Sequence, residues 1–241
     1  MSDPLKYTIG WICAISTEYV AARAFLDVTH DQPDCVSPHD SNEYTLGEMG
    51  RHNVVIAVLP DADYGLSTAS AVARSMLSPF PNIRAGLMVG IAGGAPLDLP
   101  GRDIRLGDIV VSSPRDRHGG VFQYDFGKTI QGQPFQPTRF LNQPPDVLRA
   151  AVTGLKAEIE EEGHDIDREI ERVLSRKPRL QKKYSRPPQE TDKLFCSHVV
   201  HGSSIEMEAS EDEILVFRPQ RTDEEDNPAI SMGSLPPQIS S

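Results

Sequence analysis

Glu18 stands where an apolar, β-forming run, Tyr7 to Ile15, gives way to Ser16-Thr17 and the helix-prone stretch Tyr19 to Leu26. This reads as strand, turn and helix, with Ser16 or Thr17 as the N-cap. A carboxylate in a first helical turn is stabilised by the helix dipole, by roughly 0.3–1 kcal/mol. Glu18 gains company from Gly90-Ile91-Ala92-Gly93-Gly94, a glycine-rich loop leaving the short strand Ala85 to Val89. Glycines there permit positive φ at a tight exit, and in an open α/β sheet ligands settle at the carboxyl ends of strands. Leu106-Gly107-Asp108 leads into a third strand, Ile109 to Ser112.

Other chemistries fail on spacing. Gly127-Lys128-Thr129 ends like a P-loop, but the glycine needed five residues earlier is Phe122, so no backbone nest can cradle a phosphate. The Gly90 loop does not spell G-x-G-x-x-G, which argues against a dinucleotide fold. Cys196, His198 and His201 cluster three metal-ligand types, yet zinc needs a fourth and no second pair stands at a usual spacing. There is no G-x-S-x-G elbow to anchor a hydrolase triad.

The elements that must hold Glu18 and the glycine loop follow from pattern. Residues 27–41 read as a polar loop, Glu43 to Leu46 and Asn53 to Leu59 as a hairpin turning through Gly47 to His52, and Leu66 to Leu77 as a small-residue helix. Strands alternating with helices predict a mostly parallel sheet covered on both faces. Beyond Pro145, Leu148, Val152, Leu155 and Ile159 keep a helical period, and Ile166 to Leu174 continue as a second helix. Residues 168–186 hold eight Lys/Arg against two Glu, a solvated face by its bland reading. Residues 206–226 hold nine Asp/Glu against two Arg, and the Ser/Pro/Gln/Gly-rich tail from Ser231 to Ser241 is expected to be disordered.

Composition narrows the partners. The 241 residues carry a net charge of −11, split as −4 over residues 1–150 and −7 over 151–241, so phosphate backbones and acidic membrane surfaces are repelled. No run approaches a membrane span, and the first residues lack a signal-peptide pattern. Three cysteines without a CxxC suit a reducing compartment, and a cytoplasmic location is expected. Twelve of 15 aromatics and 14 of 18 glycines fall in residues 1–150, placing the core there.

The chain resembles the nucleoside phosphorylase and nucleosidase superfamily in its fungal form. Ile9 to Glu18 looks like the first strand and acidic residue of the nucleosidase branch, and Asp63-Tyr64-Gly65 through Leu77 with Leu87 to Gly94 is similar to the glycine-led helix and following strand end. Ile104 to Val111 and Gly119 to Thr129 complete a match over roughly residues 5–160. The resemblance implies a three-layer α/β fold, a mixed central sheet flanked by helices, with an incomplete carboxy-terminal part. It divides the chain into a core at 1–160, a charged helical and loop insertion at 161–230 and a tail at 231–241.

The resemblance further implies cleavage of a nucleoside N-glycosidic bond, a purine nucleoside in preference, without a cofactor or metal, and with a homo-oligomer as a possible assembly. Glu18 would activate water, and Gly90, Ile91, Ala92, Gly93 and Gly94 would contact substrate. Ile205-Glu206-Met207-Glu208 is similar to the family's ribose-gripping Met-Glu motif, making Glu206 and Glu208 candidates. The first loop has no arginine before Arg23, and Ile91 stands where relatives carry Ser or Thr, which favours water over phosphate as acceptor. The family's base-side aspartate has no counterpart after Ile230, so little or no turnover is expected of this chain, with Glu18→Gln changing almost nothing, whereas in an intact site it would keep fold and binding and lower turnover ~100-fold or more. The alternative is a non-catalytic nucleoside-sensing or protein-interaction module on the same fold.

Overall fold

Ile9–Cys13 forms strand β1, whose alternate side chains divide between two apolar layers. Ile9, Trp11 and Cys13 join Val54 and Ile56 under helix α1, Ser16–Ala24, where Ala22 is buried. Ile12 turns to the opposite face, where Val55, Ala57, Tyr44 and Leu46 pack with Val72, Met76 and Phe80. Phe80 meets Tyr7 and Tyr44 edge to face at centroid distances of 5.6 and 5.3 Å, contacts worth about 0.5–1.5 kcal/mol each beyond area burial.

In this computed structural model the described residues are 2–33, 36–93, 103–114, 119–121, 126–138, 141–196, 214–219, 221 and 228–232. The chain divides into two compact units, Met1–Gly93 and Gly94–Ser241.

The first unit is a five-stranded mixed sheet. After α1 come β2 (Val28–His30), β3 (Tyr44–Met49), β4 (His52–Val58), helix α2 (Leu66–Met76) and β5 (Ala85–Met88), in the spatial order β2-β3-β4-β1-β5. β1 is parallel to both β4 and β5, while β2 and β3 run antiparallel at one side. From β1 the chain passes through α1 and the hairpin to β4 on one side, and from β4 it crosses through α2 to β5 on the other. Right-handed crossovers in opposite directions place their helices on opposite faces, which is how the two apolar layers come to be covered separately.

Several expectations shift. The polar loop 27–41 contains β2, a three-residue edge strand made by pairing with Leu46–Glu48. The hairpin turn is only Gly50-Arg51, since Met49 pairs with His52. Gly47 is therefore a strand residue, and its missing side chain serves close approach: a Cβ there would lie 2.7 Å from Leu26 Cδ1. Neither Ser16 nor Thr17 caps α1; Ile15 holds the cap position and Ser16 is the first helical residue.

The second unit holds β6 (Ile109–Val111), the two-residue pair β7 (Gly127–Lys128) and β8 (Gln136–Pro137), helices α3 (Asp146–Glu162), α4 (Ile166–Ser175) and α5 (Pro178–Tyr184), and β9 (Ile230–Met232). β6 lies parallel to β9, with Ile109 opposite Ile230. Ser231 and Met232, expected in a disordered tail, are thus paired with Val110 and Val111. The remaining tail residues, 233–241, lie outside the described residues. Among the described residues after Gly93, only Val173 and Ile214 are buried hydrophobics, so the core is more concentrated than the aromatic count alone indicates.

Candidate functional site

β1 ends at Cys13, two residues turn, and α1 begins, which puts Glu18 in the third helical position facing back along its own helix end. Its Oε2 accepts the backbone N–H groups of Ala14 at 2.7 Å and Ile15 at 3.2 Å. This satisfies two backbone donors at the turn into the helix, the N-cap amide among them, in the manner of the glutamate half of a capping box.

Its Oε1 accepts the N–H of Ile91 at 2.8 Å, a residue 73 positions away in the sequence. Parallel pairing delivers that partner. β5 lies beside β1, Val89 N–H continues the ladder to Ile12 C=O at 3.2 Å, and the next two residues arch over the strand end. Gly90 packs directly on the carboxyl group, with no room for a side chain. The structure thus joins Glu18, Gly90 and Ile91, with Ala92 and Gly93 following, exposed, in the same loop. Gly94, Glu206 and Glu208 lie outside the described residues.

A carboxylate offers about four acceptor positions; three are taken by backbone amides, and the second position on Oε1 has no partner among the described residues. Glutamine cannot reproduce this arrangement, because its NH2 would face an N–H, so Glu18→Gln should disturb the loop as well as the chemistry. The Ala14 and Ile15 donors were not identifiable from sequence, since every residue except proline carries one. Cys13 borders the same turn. Its thiol is pushed up to about 11 by burial first and then by the negative charge of Glu18.

The end of β4 opens beside that of β1. Its loop carries Ala62 at φ +66° and Gly65 at φ +104°, the latter at the N-cap of α2. Exposed apolar groups lie on these strand-end loops, at the start of α2 and on β5: Ile15, Tyr64, Leu66, Met88 and Ile91, the last 73% exposed.

The other motifs resolve structurally. Gly127 and Lys128 lie in a strand rather than before a helix, which supports the exclusion of a P-loop. Cys196 donates its N–H to Ile214 C=O at 2.9 Å, His198 and His201 lie outside the described residues, and no group of three metal-ligand side chains occurs among the described residues. Asp108 accepts Arg221 through both oxygens at 2.6 Å, together with the N–H groups of Arg105 at 2.8 Å and Ala229 at 2.9 Å. Burial works to raise its pKa, but Arg221 and these amides together carry it below the usual carboxylate value. With all four acceptor positions occupied, Asp108 is a structural anchor for β6 and β9.

Among the described residues, no helix is long and apolar enough to cross a membrane. No protein-family model matches the chain, and no solved structure matches it. The chain is 40% identical over 234 residues, 96% of its length, to a nucleotide-binding leucine-rich repeat (NLR)-like protein of Hyaloscypha variabilis. It spans about a fifth of that protein, 22% of its length.

Proposed function

We propose that the chain is a cytoplasmic nucleoside-cleaving domain of the phosphorylase and nucleosidase type, with water as acceptor and Glu18 as the carboxylate that orients it. The observation that carries this reading is the Glu18–Ile91 hydrogen bond, which unites at one strand end two segments that resemble the family separately. Cleavage of an N-glycosidic bond builds positive charge on the sugar and negative charge on the base. A buried carboxylate with one open acceptor position answers the first need by holding a water or hydroxyl against the sugar. The exposed apolar rim, Tyr64 and Ile91 included, offers a flat base a surface to cover. The mixed sheet with one helix on each face is consistent with the three-layer fold of that superfamily.

A second reading is a nucleoside sensor without turnover. It is favoured by the three backbone bonds that already hold Glu18, and by the 40% identical relative, whose name describes a nucleotide-binding leucine-rich repeat (NLR)-like protein. One experiment separates the two: free-base release from adenosine and inosine, with and without phosphate, alongside nucleoside-dependent thermal shift. Phosphate-independent release that falls ~100-fold or more in Glu18→Ala supports the enzyme. A thermal shift without release supports the sensor. Ribose 1-phosphate as product overturns the hydrolytic assignment, and neither shift nor release overturns both readings.

A further inference from the structure

The strongest charge anomaly lies far from Glu18 in sequence. Residues 173–189 contain six Lys/Arg and no Asp/Glu in a chain whose net charge is −11. Arg176 and Lys177 join α4 to α5, and Arg179, Lys182 and Lys183 lie on α5. All five are exposed, and no carboxylate pairs with any of them among the described residues. Their neighbours differ: Arg168 is paired with Asp165, Arg172 with Glu169 and Arg186 with Asp167. Arg179 stands three and four residues from Lys182 and Lys183, spacings at which like charges on a helix repel. The cluster therefore works against its own helix.

We propose that this α4–α5 corner is a docking surface for an acidic peptide segment of a partner protein. The positive patch is short, eight residues from Arg176 to Lys183, and the remainder of the chain is strongly negative. A long polyanion would extend past the patch into repulsion, whereas a few adjacent carboxylates engage only the cations within a Debye length, ~8 Å at physiological salt. The corner lacks what nucleic acid and membrane partners use. Its one aromatic ring, Tyr184, is half-buried with the Lys183 ammonium 5.1 Å from its centroid, so it offers no free stacking face. Leu180 is half-buried too, leaving no apolar face on α5 to enter a bilayer. The surface is independent of the nucleoside reading.

The test is fluorescence anisotropy of the whole chain with a labelled poly-glutamate peptide across a salt series, with single-stranded RNA and anionic-lipid vesicles as parallel probes. The expected result is salt-sensitive peptide binding that is lost on combined Arg179→Glu, Lys182→Glu and Lys183→Glu substitution. Binding should persist when the exposed Lys6 and Arg51 are reversed instead, and circular dichroism should show both variants folded. Absence of peptide binding, its survival in the α5 variant, its loss in the Lys6 and Arg51 variant, or tighter binding of RNA or vesicles overturns the proposal. If the α5 variant misfolds, single reversals at Lys182 and Lys183 replace it, and each must weaken binding.

Discussion

Gly90 is what lets Glu18 reach Ile91: a Cβ on Gly90 would lie 2.7 Å from Glu18 Cδ and 2.9 Å from Oε2. The smallest side chain at residue 90 must therefore displace the carboxyl group or lift the loop from β1. Gly90→Ala is expected to cost about 1–3 kcal/mol, the usual penalty for overpacking, and to abolish nucleoside-dependent thermal shift. Gly93, where an added Cβ would meet nothing within 4 Å, provides the matched control. Equal effects of Gly90→Ala and Gly93→Ala in denaturant titration would show that the Glu18 contact carries no special weight.

Cys13 should resist alkylation in the folded chain. Burial, then the Glu18 charge, hold its thiol at about 11 against an ordinary 9.0, and the thiolate is the reactive form. Of the two cysteines among the described residues, half-buried Cys196 is expected to label first at mildly alkaline pH, with Cys13 following only on unfolding. Because the folded pKa is raised, the associated stability is complete below pH 9.0 and declines as pH rises toward about 11. Peptide mapping after iodoacetamide, with stability measured over the same range, checks both statements.

Arg221 and Asp108 form an ion pair whose side chains are 10% and 1% exposed. Arg221→Met leaves Asp108 buried without its charge partner, and a loss of about 3–5 kcal/mol from the second unit is expected. Acid acts on the same place. Asp108 and Asp103 both titrate below the ordinary 3.8, burial being outweighed by their arginine and amide partners. Their contribution is present above that value and is lost as pH falls below it. Hydrogen exchange at Ile109–Val111 should rise below pH 3.8 in the native chain and already near neutrality in Arg221→Met. Unchanged protection in either case would remove the pair from the account.

The sequence was most legible where a residue's type and its partner's distance agree. β1, α2 and β5 each satisfy a local pattern, apolar alternation or small-residue helicity, and each appears close to its expected bounds. β2 was illegible because Val28-Thr29-His30 is only three residues long and owes its conformation to the exposed edge of β3. β9 was hidden for the same reason, since nothing in Ile230-Ser231-Met232 announces a strand until β6 lies beside it. At the site, Glu18 and the glycine loop were identifiable through a resemblance, but the amides of Ala14 and Ile15 carry no side-chain signature. At the start of α1 a glutamate reaches backward to hold the N-cap amide of Ile15, and the hydroxyls of Ser16 and Thr17, already inside the helix, do not cap it.

The pairing of Ile109 with Ile230 sets an order of events during synthesis. Every strand of the five-stranded sheet is contained in residues 9–88, so that sheet can close while the ribosome is still translating the second unit. β6 must wait for β9, some 120 residues later, a delay of roughly 6–24 s at typical elongation rates. During that interval β6 presents an unpaired edge, and its closure carries the loop entropy of a long contact. Nascent chains arrested after residue 130 should therefore protect Ile9–Cys13 from exchange but not Ile109–Val111, and protection of both would mean that β6 first finds another partner.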